Sequence, residues 1–424
     1  MKALVLGSGG REHAIAWSLA RSPRIDKVYC GPGNGAMARD VEIAPVNASD
    51  PEGIEKAVQF AKSEGIDLTV VGPEASLVIG VVDRFDQEGL RIFGPCQAAA
   101  QLEGSKVFCK DFFKRHSIPT AAYETFSSTD DALSHLDKRS APVVVKADGL
   151  AAGKGVYVAK TREEAQQAVQ EIMVDRRFGD AGDRVVIEDC MNGPELTLIC
   201  LTDGETIVPC ETAQDYKPAF DGNEGPNTGG MGSYSPNMPL TSDLVQQILE
   251  TVVHPTIQGL RDEGIPYKGA LYAGLMLTED GPKMLEYNVR FGDPECQAIL
   301  MRLKSDFATL VEACIDGTLA EITPEWDPRP SVCLITASDG YPGSFEKGFP
   351  ITGLDDAESE PDVKVFSAGT ACSDSGEIVT SGGRVLGVTA LGESLENARA
   401  RAYEAAAKIC FEGLRTRGDI GIPY

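Results

Sequence analysis

The 424-residue chain is short of positive charge: 39 Lys and Arg residues stand against 64 Asp and Glu residues, for a net charge of −25. An excess of negative charge repels a phosphate backbone and argues against nucleic acid or anionic membrane as a partner. Small anionic substrates stay possible where lysine, arginine and backbone N–H groups cluster. Long apolar runs are also missing, because no stretch reaches the eighteen or so residues of a membrane-spanning helix.

The 11 cysteines are scattered and form no C-x-x-C pair. Such a set is not typical of a disulfide framework or a zinc site, so reduced thiols that fill the core are expected. The opening residues, MKALVLGSGG, become glycine-rich too early for a signal peptide. We therefore expect a cytoplasmic protein.

The length exceeds what a single hydrophobic core supports. In the first hundred residues strand and helix patterns alternate, which predicts a doubly wound parallel sheet with ligands at the carboxyl ends of its strands. A small α+β unit follows, and the last part alternates β-rich segments with one long helix. We expect three domains, at residues 1–103, 104–325 and 326–424, with a flap subdomain inserted at about 120–190.

The turn after the first strand, GSGGRE, does not fit a dinucleotide-binding fold. Glu12 stands where the third glycine of G-x-G-x-x-G belongs, and no acidic residue ends the second strand. The turn does offer an anion site, because the N–H groups of Gly9 and Gly10 open a helix beside Arg11. A plain tight turn is the alternative. His13 alone is more typical of a packed helix residue than of a catalyst.

The segment VVVKADGLAAGKGVYVAK combines a glycine-rich loop with lysines, a pattern typical of phosphate binding. It is not a P-loop, since three residues rather than four separate Gly149 from Gly153, and Lys154 is followed by Gly155. The β-branched and aromatic residues after the loop indicate a strand. The segment is therefore predicted to be a β-hairpin that forms a flap.

Two lysines belong with this flap. Lys146 lies between the apolar VVV and the glycine loop, where a solvated surface lysine is unusual. Lys106 begins an amphipathic helix ahead of the unit, and an ordinary solvated lysine is an even alternative there.

Residues 221–239, DGNEGPNTGGMGSYSPNMP, are predicted to form a long loop with almost no apolar content. Structureless stretches of this length inside a compact protein usually bind something. The segment is rich in backbone donors and lacks the acidic or Ser/Gln bias of disorder. We interpret it as a substrate loop, with a disordered linker as the alternative.

The strand KMLEYN places Glu286 and Asn288 two residues apart, so both side chains point to one face. A carboxylate and an amide oxygen suit a hard cation such as Mg²⁺, and both residue types are uncommon in strands. Arg290 continues the alternation, and Asp293 and Glu295 follow in FGDPE. A surface strand with two polar residues is the alternative.

The order of these parts resembles the ATP-grasp fold, in which two α+β halves clamp a triphosphate and its magnesium. Seven motifs narrow the resemblance: GSGGREHA, VGPEASLVIGVVD, QLEGSK, VKADGLAAGKGV, GPNTGGMGSYSP, YAGLM and EYNVRFGDPE. Together they are similar to the glycinamide ribonucleotide synthetase (phosphoribosylamine–glycine ligase) family, from residue 1 to about 415. Two departures concern the substrate pocket: PGNGAM stands where the family often has PGNAGT, and Tyr216 where histidine is frequent.

The resemblance implies an α/β and α+β multidomain fold with a central ATP-grasp domain and a small C-terminal α+β domain. It implies an ATP-dependent ligase that joins glycine to 5-phosphoribosylamine in de novo purine (IMP) biosynthesis, releasing ADP and phosphate through a glycyl phosphate intermediate. The implied ligands are ATP, Mg²⁺ or Mn²⁺ and these two small substrates. We expect no nucleic-acid or membrane partner, and a monomer.

The family's site residues carry over by matching position. Lys106 and Lys146 would contact the ATP phosphates under a flap that includes Gly149, Gly153, Lys154 and Gly155. Glu188 would mark the hinge that reads adenine, Glu195 would hold the ribose, and Glu286 and Asn288 would bind the metal. Three residues would be catalytic: Lys146, Arg290 and Asp293. A last group would face glycine and phosphoribosylamine: Gly9, Gly10, Arg11, Asp215, Lys217, Asn227, Thr228, Gly229 and Arg290.

Three alternatives stay open at this point. Another ATP-grasp ligase, carboxylating or formylating a purine intermediate, should lack GGREHA and GPNTGGMG. A nicotinamide oxidoreductase needs the missing third glycine and ribose-binding acid. A non-catalytic nucleotide sensor would bind ATP but release no phosphate when given both substrates.

Overall fold

The computed structural model describes residues 1–151, 155–237 and 240–423. The N-terminal part is a parallel sheet of order β3-β2-β1-β4-β5, as predicted. Its elements are β1 (Lys2–Gly7), α1 (Gly10–Ala20), β2 (Lys27–Pro32), β3 (Glu42–Ile43), α2 (Pro51–Glu64), β4 (Leu68–Val71), α3 (Glu74–Val78), α4 (Val81–Gln87), β5 (Ile92–Phe93) and α5 (Gln97–Gly104).

Both faces of this sheet are buried, because alternate residues of β1 enter different cores. Leu4 and Leu6 belong to a core with residues of α2 and α4, whereas Ala3 and Val5 belong to one with residues of α1. The period of two along a strand produces this division.

The flap lies in a second, antiparallel sheet of order β6-β9-β7-β8. Its elements are α6 (Lys106–Arg115), β6 (Tyr123–Phe126), α7 (Thr129–Asp137), β7 (Val143–Ala147), β8 (Val156–Ala159), α8 (Arg162–Val169) and β9 (Val185–Asp189). Strands β7 and β8 pair antiparallel, with Lys146 opposite Val156. The predicted hairpin is thereby confirmed.

A third sheet has the order β11-β10-β16-β17 and carries the predicted metal strand. Its strands and their helices are β10 (Glu195–Thr202), β11 (Ile207–Pro209), α9 (Ser242–Ile248), α10 (His254–Asp262), β16 (Gly269–Thr278), β17 (Gly281–Asn288), α11 (Glu295–Arg302) and α12 (Phe307–Asp316). Strands β9 and β10 are sequential but lie in different sheets. The turn between them therefore connects the two halves of the ATP-binding region, which are the flap sheet and the sheet that contains β17.

Residues 221–237 contain more regular structure than the predicted loop. β13 (Pro218–Phe220) and β14 (Glu224–Asn227) form a hairpin, and β15 (Gly232–Ser235) pairs with β12 (Gln214–Asp215). Every residue of β15 is buried, and a buried backbone needs hydrogen-bond partners. Sheet pairing supplies them, so the expectation of a structureless segment was wrong for these residues.

The C-terminal sheet continues from β15, with the order β12-β15-β18-β22-β19 and β23 paired to β18. Its later elements are β18 (Ser331–Ser338), α13 (Leu354–Glu358), β19 (Val363–Ser367), β20 (Thr370–Cys372), β21 (Ile378–Thr380), β22 (Arg384–Leu391), α14 (Leu395–Ala406) and β23 (Leu414–Arg415). Strands from both sides of residue 326 therefore share one sheet, which ties the substrate-loop region to the C-terminal part.

None of the helices in the described ranges is both long enough and apolar enough to cross a membrane.

Candidate active site

A buried cluster of two lysines and one glutamate lies at the root of the flap. Lys146 at the end of β7 and Lys110 on α6 each form an ion pair with the Glu188 carboxylate on β9. The three side chains are at most 5% exposed. Burial raises the pKa of Glu188, but the two ammonium groups outweigh this and lower it overall. The cluster carries one positive charge in excess, which suits a site for an anion.

Lys146 also connects the flap to the predicted metal strand. Its Nζ donates to the carbonyl oxygen of Leu285 on β17 at 3.3 Å. The next residue along, Glu286, pairs with Lys106 Nζ at 2.8 Å. Lys106 lowers the pKa of Glu286 well below its usual range, and Lys217 and Lys146 add to this effect. Lys106 thus contacts an ionised carboxylate whose negative charge is also favoured by Lys146 and Lys217.

Glu286 and Asn288 lie on one face of β17 as predicted, opposite Gly274 and Tyr272 of β16. Asn288 Oδ1 accepts a hydrogen bond from Arg290 Nη2 at 2.9 Å. The two oxygens fit a small hard cation, because Mg²⁺ takes only one or two protein carboxylates and completes its shell with phosphate and water. Within the described residues, no group of three or more His, Cys, Asp or Glu side chains is placed to hold a metal.

Asp148 links the glycine loop to the helix that begins with Lys106. Its Oδ1 accepts from Ser105 Oγ at 2.8 Å and from the Val107 N–H at 3.1 Å, so it caps α6. Its Oδ2 pairs with Arg184 at 2.6 Å. Asp148, two residues after Lys146, is therefore bonded to the start of the helix that begins with Lys106, and it connects the two segments that contain the predicted phosphate lysines.

The glycines that bound the flap loop have specific reasons to be glycine. Gly149 has φ +141°, and a Cβ there would lie 2.9 Å from Ala181 Cβ. A Cβ at Gly155 would lie 2.7 Å from Ala151 Cβ. Gly153 and Lys154, predicted to cover the phosphates, lie outside the described residues.

The predicted adenine and ribose residues lie on either side of the connection between the two halves. Glu188 lies inside β9 and pairs with Tyr123 of β6 and Val144 of β7, so backbone outside the sheet begins only after Asp189. Glu195 begins β10 and accepts from Lys217 Nζ at 2.9 Å.

Lys217 lies close to the carboxyl groups of Asp215 and Glu195, and its charge also acts on Glu286. Burial lowers the pKa of Lys217, but Asp215 and Glu195 outweigh it and raise that pKa well above its usual value. Burial raises the pKa of Asp215. Burial, with Asp215 nearby, also raises the pKa of Glu295 to about 7. A carboxyl group that titrates near neutrality is a feature typical of active sites.

The predicted anion site at the start of α1 holds protein carboxylates. The Gly9 N–H donates to Glu12 Oε2, and Arg11 Nε pairs with Glu12 Oε1 at 2.6 Å. Asp293 also lies here, since a Cβ on Gly9 would lie 3.4 Å from Asp293 Oδ2, and a Cβ on Gly10 would lie 2.6 Å from Gln297 Nε2. A substrate phosphate could use these N–H groups only by replacing a carboxylate.

Arg290 is bound on several sides. Its Nε donates to Glu74 at 3.1 Å and its Nη2 to Glu103 at 2.8 Å, besides the bond to Asn288. Its Nη1 donates to the Phe291 carbonyl oxygen at 3.3 Å. Four of the five N–H donors of a guanidinium are then in use, so a substrate carboxylate could be held by two of them only if one contact breaks.

The segment Asn227–Thr228–Gly229 is held at both ends. The Thr228 N–H and hydroxyl both donate to the Lys217 carbonyl oxygen, at 2.8 and 2.7 Å. Arg384 of β22 donates from Nη1 to the Gly229 carbonyl oxygen at 2.7 Å, and its Nη2 pairs with Asp293 at 3.2 Å. A C-terminal arginine therefore joins the substrate loop to a predicted catalytic carboxylate.

Four residues that the sequence analysis passed over are central to this geometry. Lys110 could have been found, because it lies four residues after Lys106 and shares its helix face. Glu103 and Asp148 are part of motifs already noted, QLEGSK and VKADGLAAGKGV. Arg384 has no local signal, since only the tertiary structure brings β22 to the substrate loop.

Family comparisons agree with this architecture. Models of the phosphoribosylglycinamide synthetase N domain, ATP-grasp (A) domain and C domain match residues 1–103, 104–296 and 331–423. The chain is 52% identical to the phosphoribosylamine–glycine ligase of Vibrio parahaemolyticus over 99% of this chain and 98% of that protein.

Solved structures agree as well. The phosphoribosylamine–glycine ligase of Thermotoga maritima superposes with a TM-score of 0.87 at 36% identity, covering 99% of this chain and 100% of that one. The biotin carboxylase domain of Hydrogenobacter thermophilus 2-oxoglutarate carboxylase, solved with MgADP and bicarbonate, shares the fold, with a TM-score of 0.74 at 16% identity over 98% of this chain and 91% of that one. On this evidence the chain belongs to the phosphoribosylglycinamide synthetase family of ATP-grasp proteins.

Proposed function

We propose that the protein joins glycine to 5-phosphoribosylamine at the expense of ATP, giving glycinamide ribonucleotide, ADP and phosphate in de novo purine biosynthesis. The observation that carries the proposal is that Lys106 pairs with Glu286 while Lys146 donates to the neighbouring Leu285 carbonyl oxygen, where the flap sheet meets β17. The name shared by relatives about 50% identical over nearly the whole chain supports the same reaction.

The chemistry follows from what a carboxylate needs before an amine can attack it. A carboxylate would have to expel an oxide ion, which is a poor leaving group. A carboxylate oxygen of glycine therefore first attacks the γ-phosphorus of ATP, forming glycyl phosphate and releasing ADP. The phosphoribosylamine nitrogen then attacks the acyl carbon, phosphate leaves with that glycine oxygen, and the nitrogen loses one proton.

The lysines act on the charge that moves in the first step. Lys106 and Lys146 are already held by Glu286 and Glu188, so their ammonium groups need little reorganisation to meet the transferring phosphoryl group. Preorganised donors of this kind are typically the largest catalytic contribution. The flap over them would exclude water from the hydrolysable acyl phosphate.

Glu286 and Asn288 are the residues that would hold a divalent cation. Bound there, Mg²⁺ or Mn²⁺ would neutralise phosphate charge. Glu286 is ionised, so it would offer the cation a charged oxygen ligand beside Lys106. On the substrate side, Arg290 and Asp293 would hold the carboxylate and the ammonium group of glycine.

We further propose a monomer in the cytoplasm. All 11 cysteines are unpaired, which suits a reducing compartment. Light scattering at assay concentration checks the monomer, and a dimer mass would contradict it.

An isotope experiment tests both the reaction and its intermediate. Glycine labelled with ¹⁸O in its carboxylate is supplied with ATP and phosphoribosylamine, and ADP release is followed in parallel. We expect ADP release only with both substrates, and one label in inorganic phosphate. Pyrophosphate as product, or label in AMP, would overturn the acyl-phosphate route. Release of ADP without phosphoribosylamine would instead indicate uncoupled hydrolysis.

A further inference from the structure

The C-terminal tail, residues 417–422, is bonded to the β13–β14 hairpin that leads into the substrate loop. Arg417 is 1% exposed and donates from Nη1 to the Pro218 carbonyl oxygen at 2.9 Å and from Nη2 to Asn223 Oδ1 at 3.0 Å. Asp419 holds the same guanidinium by two hydrogen bonds, at 2.7 and 2.6 Å. A buried, fully oriented arginine therefore joins the tail to the hairpin.

A backbone N–H group of the tail and one of the hairpin tip each donate to a carboxylate of the other segment. The Gly418 N–H donates to Asp221 Oδ1 at 2.7 Å. In return, the Gly222 N–H donates to Asp419 Oδ2 at 2.8 Å. Because the hairpin tip itself is exposed, these contacts are not a by-product of core packing.

Tyr216 provides a second attachment, directly beside Lys217. Its buried hydroxyl donates to the Ile422 carbonyl oxygen at 2.8 Å and accepts from the Gly421 N–H at 3.1 Å. The Arg417 guanidinium lies 5.1 Å from the centre of the same ring. The residue at which this chain departs from the family's frequent histidine thus faces the tail.

We propose that residues 417–422 are a positioning element for phosphoribosylamine, holding Lys217 and the Asn227–Gly229 segment in the conformation that binds it. The inference rests on the proposed function. If the attachment is cut, the loop has to be ordered during binding, and the apparent dissociation constant rises by the inverse of the competent fraction. Apart from Glu195, which accepts from Lys217, the proposed contacts of ATP lie on the flap side, so the KM for ATP should change much less than that for phosphoribosylamine.

The test uses a double variant, Tyr216→Phe with Asp221→Ala, which removes three hydrogen bonds to the tail and leaves the tail sequence intact. The matched control is Tyr29→Phe with Asp50→Ala. Tyr29 is a buried tyrosine of β2 whose hydroxyl donates to Glu64 Oε2 at 2.8 Å, and Asp50 is an exposed acid that caps α2, so similar groups are lost in the N-terminal part rather than at the hairpin. Both proteins are assayed for ADP release with phosphoribosylamine formed in situ from ribose 5-phosphate and ammonia. Hydrogen exchange of residues 218–229 is measured without substrates.

We expect the KM for phosphoribosylamine to rise about fivefold or more, the change equivalent to one net hydrogen bond. The KM for ATP should stay within about twofold, and amides of 218–229 should exchange faster than in the control. If the wild type is active but the variant has an unchanged KM for phosphoribosylamine, the proposed role of the tail is wrong and the proposed function stands. The same conclusion follows if the KM rises equally in the control. A wild type that releases no ADP with both substrates would overturn the proposed function and this inference with it.

Discussion

Replacing Glu188 with glutamine tests the buried cluster of Lys110, Glu188 and Lys146. The glutamate side chain is 2% exposed, so bulk water cannot take over the role of its carboxylate. Two ammonium groups would then share one site without a counter-charge, and breaking a buried pair from one side costs about 3–5 kcal/mol. Loss of a proton from one lysine limits the cost, since lowering a lysine pKa from about 10.4 to 7 takes about 4–5 kcal/mol. We expect Glu188→Gln to lose about 4 kcal/mol of unfolding free energy at pH 7.

The loss should shrink as pH rises. In the variant a lysine has a folded-state pKa below its unfolded value, so the unfolded chain binds more protons between those two values. The unfolding free energy then increases with pH in that window. We expect part of the loss to be recovered between pH 7 and 9, relative to the wild type.

Lys146→Met should change stability little but lower kcat strongly. Glu188 stays paired one to one with Lys110, so we expect a stability change of no more than about 1 kcal/mol. The reaction, however, loses a preorganised donor, which corresponds to about 3 kcal/mol or about a hundredfold in kcat. Lys110→Met is the matched control: it removes the same charge from the same cluster, but this ammonium donates to Thr120 Oγ1 at 2.7 Å. We expect it to cost less than about tenfold in kcat.

The assay has to report on the flap sheet itself. Trp17 and Trp326 lie outside that sheet, so hydrogen exchange of peptides from β7 and β9 is measured across a urea series at pH 7 and 9. Equal stability of Glu188→Gln and the wild type at pH 7 would contradict a buried carboxylate that neutralises two lysines. So would a loss of stability in Lys146→Met as large as that in Glu188→Gln.

Three further predictions concern the metal, glycine and acid stability. Glu286→Ala should raise the Mg²⁺ concentration needed for half-maximal activity, and Asn288→Ala should do so less, because one loses a charged ligand and the other a neutral one; unchanged titrations would mean that the pair is structural. Arg290→Ala should raise the KM for glycine far more than that for ATP, and an unchanged glycine KM would contradict its placement. Burial raises the pKa of Asp40, but hydrogen bonds from His13 and Lys364 outweigh it and hold the pKa at about 2. Solvent screening of this partly exposed carboxylate reduces its stabilisation to about 1 kcal/mol, which is complete above pH 4 and lost as pH falls toward 2, so Asp40→Asn should flatten that limb of the urea-midpoint profile.

Local patterns predicted the features that depend only on neighbours in the chain. The flap hairpin follows from β-branched runs on both sides of a glycine loop, and the shared face of Glu286 and Asn288 follows from the period of two along β17. The parallel N-terminal sheet follows from the alternation of strand and helix. Each of these is a short-range consequence of backbone geometry.

The sequence did not predict the structure that depends on pairing between distant segments. The polar, glycine-rich GPNTGGMGSYSP has the composition of a loop, yet Gly232–Ser235 is a buried strand because β18, a hundred residues later, supplies its partners. The roles of Glu188 and Arg290 were inferred from family positions. The ion pairs that hold them, with Lys110, Glu74 and Glu103, join segments that are not adjacent in the chain.

The amino-acid sequence alone determined the family, the order of the domains and the residue types available for phosphate, metal and substrate. Only the tertiary structure decided which charges neutralise each other. A buried charge takes its partner from whichever segment packs against it, and that choice is made by sheet order rather than by spacing. For the same reason, the link from Arg417 and Tyr216 to the substrate loop is invisible in the sequence: about two hundred residues separate the groups that it joins.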